Sequence, residues 1–402
     1  MIRRADRPFA AAYLTYYAAF GVFMPYWSAH LAGLGLAATA IGGVLAIFST
    51  VRIVSPLIGG GWVDRAAERK WVLVAGAVLA GVTALCAGLA RSPWAIAVSI
   101  ALYSLAFTAT LPALDTVVLE RLGADRSQYG RLRLWGSIGF VVMVLSVGAL
   151  IPRVGDGVIP VALVLGHAVA VLTFLTLPKV GGHRGPSVRT GGGFAGILAD
   201  GPTRVLLLIA FLQIASFGAF NGFYTIFLRH YGYPERLISL YWAAGVVAEI
   251  GLFWLSPRIL ARVPLDRLLV LSIGITVVRW AVVAAVPESV AWNAVAQLSH
   301  AACFGLFQAC SVVLAARFAP PGAAGRSQAL LAAAGSGVGG IVGSLVAGAL
   351  YERVSPAAAF LGGVAFAAAA LAACFWPSFV QRCDADRRSE AADRLRSRAR
   401  IL

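Results

Sequence analysis

Long apolar runs set the rhythm of this 402-residue chain. Each is roughly twenty residues long, the length a helix needs to cross hydrocarbon. None alternates polar and apolar positions as the strands of a membrane barrel do. Runs near 9–32, 38–60, 70–90, 94–120, 131–151 and 158–178 are followed by runs near 204–228, 237–258, 266–286, 290–318, 327–350 and 356–376. The longest internal break, 179–203, is rich in Gly, Pro and basic residues and reads as a linker. In hydrocarbon every backbone donor and acceptor must be paired internally, which leaves helices as the spanning element for such runs. The pattern predicts an all-α membrane protein of twelve transmembrane helices in two six-helix halves, 1–178 and 204–376, with a basic tail at 377–402.

The two sets of runs look like a duplication. Ser55-Pro56 stands at the close of the second run and Ser256-Pro257 at the close of the eighth. Arg126-Ser127-Gln128 precedes the fifth run and Arg326-Ser327-Gln328 the eleventh, and Gly136-Ser137 and Gly335-Ser336 follow in the same order. Each pair is offset by about 200 residues, half the chain. Parallel halves of this kind place a solute site near the bilayer midplane, between them.

Composition excludes a soluble domain, since 60% of the residues are apolar and only 12% charged. The net charge of +16 invites a nucleic-acid reading, but its placement speaks against it. With the N-terminus inside, 25 of the 33 Lys and Arg fall in inside segments and five in outside segments. That is the positive-inside bias, which puts both termini in the cytoplasm and requires an even number of spans. The basic tail could lie against anionic headgroups or simply be solvated. The five cysteines show no metal or redox spacing. The first run follows Arg3, Arg4 and Arg7, exceeds a signal-peptide core and lacks a clear cleavage site, so it reads as a retained span. Gly335-Ser336-Gly337-Val338-Gly339-Gly340 fits a dinucleotide pattern without the strand that would give it meaning. Gly335, Gly339 and Gly343 instead make the small-residue face of a packed helix. The sequence has no Walker loop, zinc motif or nucleophile elbow, which weakens ATP-driven and enzymatic readings.

Ionisable groups inside spans carry the functional signal, because each costs about 2.5–3.5 kcal/mol at a helix centre on insertion scales. The chain keeps Arg52, Asp115, Arg133, Glu249, Arg279 and His300 within its runs. Asp115 and Arg133 sit on neighbouring antiparallel spans, and an Arg fork beside a carboxylate can bind hydroxyls or a carboxylate. They could equally form a structural ion pair. With Arg52, Asn221 and Gln297 they are the candidate substrate-binding residues. Glu249, Arg279 and His300 have the parts of a proton relay, with Glu249 the better proton carrier. Gln213 and Gln308 are further candidates to line the cavity. The span-1 aromatics, Tyr16, Tyr17, Phe20, Phe23, Tyr26 and Trp27, read chiefly as packing.

The loop after the second run, Gly60-Gly61-Trp62-Val63-Asp64-Arg65-Ala66-Ala67-Glu68-Arg69-Lys70, resembles the signature loop of the major facilitator superfamily. Gly60, Asp64, Arg65, Arg69 and Lys70 would then form a cytoplasmic gate; Ala67 and Trp62 depart from the usual Gly and Leu. Within that superfamily the chain resembles the phenylpropionate permease (3-phenylpropionic acid transporter) group. The likeness is plainest in Gly21-Val22-Phe23-Met24-Pro25-Tyr26-Trp27, Tyr129-Gly130-Arg131-Leu132-Arg133-Leu134-Trp135-Gly136-Ser137, Gly245-Val246-Val247-Ala248-Glu249 and Val278-Arg279-Trp280. More distantly it is similar to the proton-coupled galactoside permease. That likeness implies sugar-binding roles at Asp115 and Arg133 and proton-coupling roles at Arg279 and His300. Cys303 stands where that permease has its proton-carrying glutamate, and Asn221 near where it has acidic groups.

Three embedded Arg against two carboxylates favour an anionic solute. The resemblance and the charges together imply a proton-coupled symporter, not an enzyme, that takes up a small organic solute such as an aromatic carboxylate by alternating access. It would use the proton gradient and no cofactor or metal. Its expected partners are the small-molecule substrate, protons and membrane lipids, not nucleic acid. It is expected to be a monomer in a bacterial-type cytoplasmic (inner) membrane. The alternatives are a sugar or nucleoside symporter, an exporter, or a membrane sensor or scaffold that transports nothing.

Overall fold

The computed structural model describes the backbone at residues 3–65, 68–123, 125, 128–178 and 194–399, and side chains at these positions except 56–65 and 389–399. The helices are α1 (Arg7–Gly33), α2 (Ala38–Arg65), α3 (Arg69–Leu89), α4 (Pro93–Leu122), α5 (Tyr129–Val154) and α6 (Val158–Leu175). They continue as α7 (Gly201–His230, interrupted at Phe217), α8 (Glu235–Arg262), α9 (Leu265–Ala285), α10 (Val290–Phe318), α11 (Ala324–Arg353), α12 (Pro356–Ala373) and α13 (Pro377–Ala399).

The eleven helices α2 to α12 are long and apolar enough to cross a membrane. The twelfth span, α1, has the length but falls short in hydropathy, because tyrosines, Trp27, Ser28 and His30 dilute its apolar residues. Those residues are not wasted on lipid: most of α1 is buried against α5, α6 and α7. The fold is thus an all-α bundle of twelve membrane helices. The predicted linker lies partly outside the described residues, at 179–193. Its last residues instead form a short helix, Phe194–Ala199, and the first turn of α7, started by Asp200 accepting from Thr203 N at 2.9 Å.

The Ser-Pro pairs do not close their helices. α2 runs on to Arg65 and α8 to Arg262, with Pro257 inside it. Proline at 257 frees the carbonyl four residues back, and the Ser256 hydroxyl donates to that same Phe253 oxygen at 2.8 Å. The helix therefore continues with the lost bond replaced.

α1–α6 pack chiefly on one another, as do α7–α12, and the two groups meet along α2–α11, α5–α8 and α1–α7. α11 makes this possible with glycines on two faces. Gly339 and Gly343 lie directly against the α7 backbone at Phe211 and Ala215, while Gly337 and Gly340 admit Ile53 and Ser49 of α2. Two stretches depart from α geometry into π-helix, Ala301–Leu306 in α10 and Ala333–Gly339 in α11.

The bundle is not equally closed at its two ends. One apolar core joins both halves toward the face opposite the chain termini and includes Phe223, Phe227, Trp242 and Phe360 with Phe23, Trp27 and Val144. At the terminal face the second half has its own separate core, built from Leu206, Leu269, Leu314 and Phe379. The polar contacts repeat this division. Arg229 of α7 clamps Asp156 of the α5–α6 turn with two bonds of 2.7 and 2.8 Å, and also pairs with Glu235. Glu352 of α11 accepts from both Thr39 N and Thr39 Oγ1 of α2 at 2.7 Å. At the terminal face the pairs Arg3–Asp6, Arg121–Asp6, Arg69–Glu120 and Arg387–Asp266 each stay within one half.

Candidate functional site

The sequence Tyr129-Gly130-Arg131-Leu132-Arg133-Leu134-Trp135-Gly136 becomes a single working face once helical, because positions i, i+4 and i+7 align. Tyr129, Arg133 and Gly136 hold those positions on α5. A Cβ at Gly136 would fall 2.5 Å from the ring of Tyr17, so glycine is what lets that ring lie against α5. The Arg133 guanidinium covers the same ring at 4.4 Å and Tyr13, one turn earlier on α1, at 5.6 Å.

Asp115 lies within electrostatic reach of Arg133, but its hydrogen bonds come from elsewhere. Tyr13 Oη donates to Asp115 Oδ1 at 2.5 Å and Tyr129 Oη at 3.1 Å. Among the described residues Arg133 makes no ion pair within bonding distance. The two groups therefore share a site without forming the simple structural pair that their sequence positions allowed. Glu249, half-buried on α8, reaches toward Arg133 across the α5–α8 boundary. Arg52 lies over Phe48 at 5.9 Å and within reach of Tyr16 and Tyr17, so it joins the same surroundings from α2. Its side chain is nonetheless accessible.

The second constellation is deeper. Arg279 on α9 is 2% exposed, with its guanidinium carbon 4.3 Å from the ring centre of Trp280 and 4.6 Å from that of Phe220. Its Nη1 contacts His300 Nδ1 at 3.0 Å, which makes that ring nitrogen the acceptor, and its Nη2 donates to Gln297 Oε1 at 3.3 Å. Gly245 of α8 packs on Gln297 and His300, and Glu249 sits one turn further along α8 beside Gly305 of the π-segment. Cys303 belongs to the same segment and is fully buried beside Arg279.

The other sequence candidates divide between packing and open positions. Gln213 is completely buried and donates to Thr276 Oγ1 at 2.8 Å and to the Cys303 carbonyl at 3.1 Å. It ties α7 to α9 and α10 rather than lining a cavity. Asn221 is half-buried one turn beyond the break in α7, and its side chain makes no hydrogen bond among the described residues. Arg69 is buried and paired with Glu120 of α4, inside one half, while Lys70 rests over Trp71 at 5.3 Å. Of the remaining gate-loop residues, the surroundings of Gly60 and the side chains of Asp64 and Arg65 lie outside what the structure describes.

Sequence reasoning missed Tyr13 and Tyr129 as the holders of Asp115, and Tyr17 as the platform for Arg133. The i, i+4 spacings Tyr13–Tyr17 and Tyr129–Arg133 were the available signal. It also gave no role to Arg229, whose partner Asp156 is 73 positions away.

A family model described as the MFS_1 like family matches residues 8–362. The chain is 30% identical over 310 residues to a probable 3-phenylpropionic acid transporter of Escherichia coli (strain K12), covering 76% of this chain and 80% of that one. It is 29% identical over 355 residues to a maltose permease of Geobacillus stearothermophilus, covering 88% and 89%. Among solved structures it resembles the nucleoside transporter NupG (D323A mutant), with TM-score 0.85 at 18% identity over 93% of this chain and all of that one. It also resembles a bacterial homologue of the lysosomal transporter Spinster in an inward-facing, unoccupied conformation, with TM-score 0.73 at 14% identity over 95% and 99%.

Proposed function

The chain belongs to the MFS_1 like family and is a multi-pass membrane transporter of the major facilitator kind, and on that premise we propose that it imports a small aromatic carboxylate together with a proton. The observation that carries this reading is Arg133. It stands between the halves on a tyrosine platform, while two phenols occupy the one carboxylate near it on its own half. An arginine kept from internal neutralisation is a ready partner for a solute carboxylate, which it can bind through two parallel bonds. The rings of Tyr17, Tyr16 and Phe20 offer the aryl group an apolar surface beside it. The E. coli relative's name points to the same class of solute.

Glu249 is the proton carrier in this scheme. It lies on the α8 face that looks toward Arg133 and is one turn from the contact of α8 with His300. Arg279 and His300 stand beside that route, as expected of groups that respond to its charge. The termini face the cytoplasm, consistent with 25 of 33 basic residues falling on that side. The arrangement of cores and ion pairs then corresponds to a carrier sealed outward and parted inward.

Proteoliposomes test the whole reading. With an inward proton gradient they should accumulate labelled 3-phenylpropionate, and Glu249→Gln should abolish accumulation while leaving exchange. Arg133→Ala should remove binding without removing membrane insertion. Accumulation that ignores the gradient would end the symport claim, and preferential uptake of maltose or a nucleoside would replace the anion with a neutral solute.

A further inference from the structure

Arg279 is buried in an apolar box with the five N–H donors of its guanidinium, yet among the described residues no carboxylate pairs with it. Its Nε has no partner at all. Gln297 Nε2 and the Tyr224 hydroxyl, two completely buried groups near the guanidinium, have at most one another as partner. Burying an unneutralised cation beside polar groups that offer it no charge is costly. What this cluster lacks is acceptor atoms carrying negative charge. Walls of Phe217, Phe220 and Trp280 surround it, and the stacked rings of His300 and Phe304, both half-buried, form its accessible rim.

Register along the helices separates this cluster from Arg133. Arg133 is one turn from the terminal-face end of α5, whereas Arg279 and His300 lie nearer the sealed ends of α9 and α10. We propose that Arg279, Gln297 and Tyr224 form a second carboxylate-binding station in the C-terminal half, which receives the solute anion before Arg133 does. The proposal rests on the anion-carrier reading above, and it gives Arg279 a ligand rather than only a neighbouring proton. Charge-assisted bonds from the guanidinium and the Gln297 amide would hold the carboxylate, with the Tyr224 hydroxyl as a third donor.

The test is equilibrium binding and solute exchange by the purified, reconstituted full chain, with 3-phenylpropionate and its neutral counterpart 3-phenylpropanol as probes. Arg279→Gln should weaken acid binding about tenfold or more, the loss of one charged contact. It should leave alcohol binding unchanged and suppress acid exchange; Arg279→Lys should restore part of each. Wild-type acid affinity and exchange in Arg279→Gln, with only gradient-driven accumulation lost, would overturn the station and leave Arg279 a coupling residue. If Arg279→Gln does not fold, Gln297→Leu must show the same selective loss for the acid, and wild-type acid affinity there would refute the assignment. Failure of the wild-type protein to bind the acid would refute the underlying anion reading as well, a result distinct from failure of the variant alone.

Discussion

An arginine within a membrane protein acts on a solute only if the protein does not neutralise it first. At Arg133 two tyrosines decide this. Each phenol bond to the Asp115 carboxylate is charge-assisted, worth roughly 1.5–3 kcal/mol when net contributions are measured. Together they give Asp115 an alternative to pairing with Arg133. The double variant Tyr13→Phe/Tyr129→Phe should release Asp115 toward the guanidinium and lower acid affinity about tenfold, a change near 1.4 kcal/mol. Adding Asp115→Asn to that variant should restore binding. Affinity unaffected by the double variant would show that the phenols do not govern the arginine. Gly136→Ala tests the platform from the other side, since its methyl group would displace the Tyr17 ring on which Arg133 lies.

At the scale of elements, the glycines of α11 show why a motif must be read with its surroundings. The same residues that fit a dinucleotide pattern lie in a π-segment and allow α11 to touch two helices at backbone distance. Gly343→Val would drive its side chain into the Ala215 carbonyl of α7, and overpacking of this kind costs about 1–3 kcal/mol. Thermal unfolding in detergent should register a lowered midpoint, whereas the same change at Gly274, which has open space around it, should not. The tail helix α13 is also more than a solvated charge run. Phe379 and Cys383 enter the core of the second half, and Arg387 bonds Asp266 at 2.5 Å. Burial, helped by the nearby Asp266 charge, pushes the Cys383 thiol up to about 12. Folded protein at neutral pH should therefore leave Cys383 unmodified by maleimide, and prompt labelling would show that α13 is not docked.

At the scale of the molecule, alternating access requires the sealed face to part. Its fastening is concentrated at Arg229, which bridges Asp156 of one half and is braced by Glu235. Nearby, Gly148 lies so close to Ser239 that no side chain fits between α5 and α8. Arg229→Ala should loosen this face. A cysteine introduced at Ser239, a buried position, should then react with an impermeant maleimide several-fold faster than it does with Arg229 intact. Equal rates would show that apolar packing alone keeps this face closed.

The sequence by itself determined that the chain crosses the membrane, how often, and which charges it carries there. Hydrocarbon length and backbone satisfaction act on local runs, so span number and type are legible without tertiary knowledge. It also exposed the Arg133 motif, whose members lie within two turns of one helix. Only the tertiary structure decided who neutralises whom. Asp115 is held by Tyr13 from 102 positions away, Gln213 is tied to Thr276, and Arg229 finds Asp156, because helices far apart in sequence are neighbours in space. Electrostatics and hydrogen bonding fall off over a few ångströms, and only folding fixes distances on that scale.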